Sequence, residues 1–158
     1  MLVKTKSMGA VEVDNAHIIT IPAGLFGFEE YTQYALIDSE YKPFMWLQST
    51  QSSELAFLVV DPFLICSDYE VDIDDKELLK IGIVSPTEVF VLVLITIPQD
   101  GSAVTANLQG PLVINRTNNK AMQAILSDNR WTTKHSIIES LKKRSSYCLF
   151  CPEKLMKR

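Results

Sequence analysis

The chain has 158 residues, 47% hydrophobic and 22% charged, with 6 Gly and 7 Pro, a composition that excludes intrinsic disorder as its main state. At this length roughly 70% of the unfolded surface is buried on folding, so a core needs neither disulfides nor a structural metal. The formal charge of -4 hides a segregation, because residues 1–115 carry 16 acidic and 5 basic side chains and residues 116–158 carry 3 and 10. An acidic body repels nucleic acid and attracts a basic protein partner.

Taken in chain order, Val11 and Val13 alternate with Glu12 and Asp14, and Ile19 and Ile21 flank Thr20, the period of two that marks strands. Phe44 and Trp46 open a further strand that leads to another at residues 55–60. At Asp74-Asp-Lys-Glu77 an aspartate N-cap is followed three residues later by glutamate, then by Leu78, Leu79, Ile81 and a closing Gly82. This spacing predicts one short helix. Residues 88–97 are apolar on both faces and rich in β-branched side chains, which predicts a central strand covered on two sides. Asp100-Gly101 then predicts a type I′ hairpin turn that folds residues 103–108 back on it. Residues 121–126 fit either a helix or a strand. Ser136-Ile-Ile-Glu139, followed by Lys142, Lys143 and Arg144, is a second capping box with cations at its far end and predicts a C-terminal helix. The expected fold is mostly β: a small antiparallel β-barrel-like domain over residues 1–130, with a basic tail at 131–158 packed on it or appended to it.

The longest uninterrupted apolar run, residues 89–95, has seven members, against the roughly 20 of a membrane helix. No apolar stretch follows Lys4 and Lys6 as a signal peptide requires. A cytoplasmic protein with no membrane association is therefore expected. Three cysteines make an odd count, and reduced thiols follow. Cys148-Leu-Phe-Cys151 is half a zinc site, and neither His17, His135 nor Cys66 stands at a spacing that completes it. The same pair lacks the strand-to-helix setting of a thioredoxin-like motif. No Gly-x-Ser-x-Gly or phosphate-binding glycine loop occurs, and the acids of residues 68–77 lack the glycine of an EF-hand. Asp72, Asp74, Asp75 and Glu77 put four carboxylates within six residues, read either as solvated capping groups or as an acidic binding face. Phe26, Phe28, Tyr31, Tyr34, Tyr41, Phe44 and Trp46 fall within 21 residues, read either as core or as an apolar contact surface. These readings favour protein binding over catalysis, with no cofactor or metal.

Several blocks in a fixed order resemble the FliW family of bacterial flagellar assembly factors. They are Ile21-Pro-Ala-Gly-Leu-Phe-Gly-Phe-Glu29 with Tyr34-Ala-Leu-Ile37, then Pro43-Phe-Met-Trp-Leu-Gln-Ser49 leading to Asp61-Pro62. Asp68-Tyr-Glu-Val71 and Thr105-Ala-Asn-Leu-Gln-Gly-Pro-Leu-Val-Ile-Asn115 follow. The resemblance implies a non-enzymatic, barrel-like monomer that binds newly made flagellin, at its C-terminal region, and the RNA-binding translational repressor CsrA, without binding nucleic acid itself. Flagellin and CsrA compete for such a factor, so that flagellin synthesis follows export. On this reading Asp72, Asp74, Asp75 and Glu77 form the CsrA-binding face, and Phe26, Phe44, Trp46 and Asn115 are candidates for a flagellin-binding apolar groove. Competing readings are a small-ligand-binding β-barrel and a carboxylate hydrolase.

Overall fold

The structure is a computed structural model and describes residues 1–137. Eleven strands and one short α-helix are assigned over that length. A small hairpin of β1 (Leu2–Lys4) and β2 (Ala10–Glu12) stands apart from a large antiparallel sheet. The sheet's main path joins β3 (Ile18–Thr20), β4 (Gln33–Asp38), β5 (Met45–Ser49), β6 (Ala56–Val60), β7 (Val89–Thr96), β9 (Leu112–Asn115) and β10 (Ala121–Gln123). Two further strands of two residues each, β8 (Thr105–Ala106) and β11 (His135–Ser136), branch from β7. The helix α1 (Asp75–Leu79) lies on the connection between β6 and β7.

β7 organises the rest. One edge pairs with β6, with Val60 opposite Val93. The other edge is divided: its first half pairs with β9, from Val89 opposite Asn115 to Leu92 opposite Leu112, and its end pairs with β8 at Ile95 and Thr96. Because side chains alternate across a strand, Phe90, Leu92 and Leu94 enter one cluster with Ile19, Ile21, Tyr34, Leu47, Val59 and Ile114. Val91, Val93 and Ile95 enter a second with Val60, Ile65, Tyr69, Leu108, Leu126 and Trp131. The expected two-sided burial of this strand is what the sheet contains.

The sheet curls without closing. Its end strands meet at a single bridge between Thr20 and Lys120, where the Thr20 amide donates to the Asn119 carbonyl at 2.9 Å and the Asn119 amide group to the Ala16 carbonyl at 2.8 Å. The expected mostly β, antiparallel, barrel-like fold is what the chain forms, with this clasp between its end strands in place of a continuous closing ladder. Residues 121–126, open to either reading from sequence, begin with strand β10. Gly101 takes a positive φ of 81° in the turn after β7, and β8 returns antiparallel as expected. The connection runs over residues 97–104, however, rather than two residues, because Pro98 has no amide to continue the ladder.

Beyond residue 130 the chain stays against the sheet. Trp131 and Ile137 are buried in the second cluster, β11 pairs with β8, and the Leu108 amide donates to the Thr132 carbonyl at 2.9 Å. Residues 131–137 belong to the sheet domain. The expected C-terminal helix, apart from its first residues, and Cys148 and Cys151 lie outside the described residues.

Two buried tyrosines separate packing from hydrogen bonding. Tyr69 donates its hydroxyl to the Leu108 carbonyl at 2.6 Å and packs edge-on against Trp131 at 5.0 Å. Burial pushes its phenol well above the usual value. Tyr34 is also fully buried, its phenol pushed up to about 12 by desolvation and then by Tyr31, and its hydroxyl has no protein partner among the described residues. Tyr69→Phe should therefore lower the unfolding free energy by about 1–2 kcal/mol, the cost of orphaning a buried carbonyl. Tyr34→Phe removes no such bond and should cost less, a difference readable in urea midpoints.

Candidate functional site

The acidic helix is built as its sequence predicts. Asp74 is its N-cap, the carboxylate accepting the Lys76 amide at 3.0 Å, and Asp75 and Glu77 lie in the first turn, where negative charge meets the positive end of the helix dipole. At the other end the Gly82 amide donates to the Leu79 carbonyl at 3.0 Å and the Ile83 amide to the Leu78 carbonyl at 3.1 Å. This pair of bonds is a Schellman motif, and Gly82 supplies the left-handed residue it needs with a φ of 79°. Leu78 and Ile83 then pack together under the helix with Ile81 and Val113. Glu77 pairs with Lys80 at 3.0 Å in the open, a contact of small energetic weight.

Beside this helix lies an apolar groove of about 580 Å³. Val89, Val91 and Val113 line it from the outward faces of β7 and β9. Phe63, Val71 and Ile73 come from the chain that leads into α1, while Leu78 and Leu79 come from α1 and Ile83, Val84 and Pro86 from the segment after it. Asp72 and Asp75 also line it, both exposed. Leu79 and Val84 are 58% and 79% exposed, unusual for large apolar side chains grouped on one surface. The acidic cluster and an apolar trough are therefore one continuous surface, which no sequence motif announces. Among the described residues no group of three or more His, Cys, Asp or Glu is placed to hold a metal ion.

The four apolar-groove candidates from sequence fall elsewhere. Phe26, 58% exposed, stands on the loop after Ile21, its amide held by Gln123 Oε1 at 3.0 Å. That loop depends on Gly24, whose φ is 69° and where an added Cβ would sit 2.5 Å from the Glu29 backbone. Its neighbour Phe28 packs edge-on against Phe57 at 5.1 Å. Phe44 is half-buried against the second core cluster, and its carbonyl accepts the Ser39 hydroxyl at 2.6 Å. Trp46 is half-buried on β5, opposite Ile37 and Leu58. None of the four lines the groove beside α1.

Asn115 is the clear departure, because it is completely buried. Its amide donates to the Ile81 carbonyl at 2.8 Å, its oxygen accepts the Thr117 amide at 2.9 Å and hydroxyl at 2.7 Å, and it has no surface to offer a partner. Asn118 donates to the same Ile81 carbonyl at 3.1 Å. These two amides clamp the end of α1 to the turn between β9 and β10, so Asn115 positions the acidic helix. The interior that a ligand-holding barrel leaves open is occupied by Ile19, Ile21, Tyr34, Leu47, Leu92 and Leu112. The carboxylates that a hydrolase would oppose across a cleft instead face solvent, cap α1 or pair with Lys80.

The chain is thus a mostly antiparallel β domain with an acid-rimmed apolar groove on one surface. Residues 2–137 match the family model described as FliW protein. Proteins named flagellar assembly factor FliW are similar over nearly their whole length. The one from Treponema denticola is 52% identical, covering 89% of this chain and 96% of the relative, and the one from Treponema pallidum is 49% identical, covering 91% and 96%. A crystal structure of the flagellar assembly factor FliW superposes with a TM-score of 0.79 at 34% identity, covering 87% of this chain and 96% of that one. The chain belongs to the FliW family.

Asn115→Ala should lower stability by about 1–2 kcal/mol, the cost of leaving the Thr117 amide and hydroxyl without their acceptor and the Ile81 carbonyl to Asn118 alone. Urea unfolding reads that loss. Hydrogen exchange at α1 should accelerate in the same variant, whereas an unchanged helix would remove the positioning role.

Proposed function

We propose that this chain is a non-enzymatic flagellar assembly factor of the cytoplasm. It binds newly made flagellin through flagellin's C-terminal region and sequesters the translational repressor CsrA, exchanging one for the other. Family membership supports the flagellar role. The observation that carries the mechanism is the groove of about 580 Å³ with Asp72 and Asp75 on its margin.

Each partner's chemistry meets one part of that surface. An amphipathic helix that is disordered before assembly needs an apolar trough, and gains most where exposed aliphatic groups such as Leu79 and Val84 are covered. A protein that grips RNA is basic, and is drawn to Asp72, Asp74, Asp75 and Glu77 by the field that repels RNA itself. Because Asp72 and Asp75 border the trough, a chain seated in it covers part of the acidic face. Steric overlap of this kind gives competition without a conformational change. A monomer suffices, since both surfaces lie on one molecule.

Titration calorimetry with CsrA and with a C-terminal flagellin peptide tests both halves. Asp72→Lys/Asp75→Lys should weaken CsrA roughly tenfold at low salt, with the difference shrinking as ionic strength rises. Asp74 is left intact because its carboxylate caps the helix. Leu79→Asp/Val84→Asp should weaken the flagellin peptide by roughly tenfold or more, as expected of apolar anchors. Phe26→Ser tests the other exposed aromatic surface. Loss of peptide binding in Phe26→Ser but not in Leu79→Asp/Val84→Asp would move the flagellin site to the loop after Ile21. Unchanged CsrA affinity in the charge-reversed variant would refute the acidic face.

A further inference from the structure

We infer that the open edge of β1 is a docking site for an extended acidic segment of another protein, which joins it as a further strand. The hairpin's register creates that edge. The Val13 amide donates to the Met1 carbonyl at 2.8 Å and the Thr5 amide to the Gly9 carbonyl at 2.8 Å, so the odd-numbered residues of β1 bond toward β2. The amides and carbonyls of Leu2 and Lys4 point the other way, and among the described residues nothing bonds them. Lys6, next along the same edge, shows what such a group accepts as a partner, because its amide donates to Gln48 Oε1 at 2.9 Å. Val3, buried with Val13 and Ala35, fixes the strand to the main sheet and holds the edge in place.

The edge borders a slot of about 340 Å³, lined on its other side by Gln33, Thr50, Gln51 and Ser53. Both glutamines have their carboxamide oxygens committed. Gln33 Oε1 accepts the Thr50 hydroxyl at 2.7 Å, and Gln51 Oε1 accepts the Thr32 amide at 2.7 Å and the Gln33 amide at 3.2 Å. Their Nε2 groups are left as donors without a partner among the described residues. Lys4 is the one charged side chain that lines the slot, and no carboxylate lines it, although residues 1–115 carry 16 acidic and 5 basic side chains. The slot is therefore a positive, donor-rich place on an acidic body, and its local charge favours an acidic occupant.

Backbone pairing sets the rest of the occupant's chemistry. An extended chain presents an amide and a carbonyl to one side at every second residue, the spacing at which Leu2 and Lys4 present theirs. Lysines on an open edge disfavour pairing with a like-charged copy of the same strand, which leaves a different strand with carboxylates for Lys4. The slot shares no lining residue with the groove beside α1, so this docking does not rest on the function proposed above.

Amide chemical shifts of the full-length chain, titrated with a capped hexapeptide of alternating valine and glutamate, test the inference. Shifts should move at Leu2 and Lys4 and at the side-chain amides of Gln33 and Gln51. A peptide with lysine in place of glutamate should bind about tenfold more weakly at low salt. The acidic peptide with every backbone amide N-methylated should lose about tenfold as well, because it keeps the charge and lacks the strand donors. Lys4→Glu should invert the preference between the acidic and the basic peptide. Gln51→Glu keeps the oxygen that holds Thr32 and Gln33, replaces the donor by negative charge, and should weaken the acidic peptide about fivefold. Unmoved Leu2 and Lys4, equal binding of the methylated peptide, or an unchanged preference in Lys4→Glu overturns the inference. So do shifts at β1 that grow with protein concentration in the absence of peptide, which would make a second copy the occupant. Asp72→Lys/Asp75→Lys should leave acidic-peptide binding as it is, and a change there would move the peptide to the groove beside α1 and overturn the edge assignment.

Discussion

The structure depends on one strand whose two faces are both apolar. β7 supplies Phe90, Leu92 and Leu94 to one core cluster and Val91, Val93 and Ile95 to the other, so neither cluster forms without it. Each buried aliphatic side chain contributes on the order of 1.5–3 kcal/mol of transfer free energy, and among the described residues β7 is the longest strand and is apolar on both faces. The division of its second edge between β9 and β8 follows from the same demand. A single partner running its full length would continue a flat ladder, whereas two partners let the sheet split, wrap one cluster and leave the outward face of β7 and β9 to be covered by the chain around α1.

That face carries the groove on which the proposed function rests. Side chains from residues 61–73 and α1 bury Val91 and Val113 and cover Val89 in part, and the groove runs along that layer. The helix beside it is only five residues long, too short to hold its shape by backbone bonds alone. Its geometry is imposed from outside, by the Asp74 cap at one end and by Gly82 with the Asn115 and Asn118 amides at the other. Four carboxylates held by so short an element repel one another, and the clamp supplies the rigidity that such repulsion would otherwise oppose.

How far the sequence reveals this depends on how local each cause is. β7 is legible because its apolar side chains are consecutive, and α1 because cap, acids and closing glycine all fall within nine residues. The tight hairpin after β7 is misread because Asp100-Gly101 dominates the local signal while Pro98 decides the pairing. β11 is hidden because Ser136 reads as a helix cap, although its neighbour His135 pairs with Ala106. Asn115 looks like a rim residue in the sequence, yet the carbonyl it serves belongs to Ile81, 34 positions earlier. The groove is the least legible feature, since Phe63, Leu79, Val84 and Val113 meet only through the order of strands.

The segregation of charge along the chain then acquires a structural sense. Six of the 16 acidic side chains of residues 1–115 fall within residues 68–77, and all but five of the 15 basic ones follow residue 115. Opposite charges on two parts of one molecule attract each other at the same ionic strengths at which either attracts an outside partner. A binding surface of this kind is therefore never judged against bare solvent alone. On the function proposed above, apolar cover for Leu79 and Val84 is what selects among partners of equal charge. Charge draws such partners to the surface, and the trough discriminates between them.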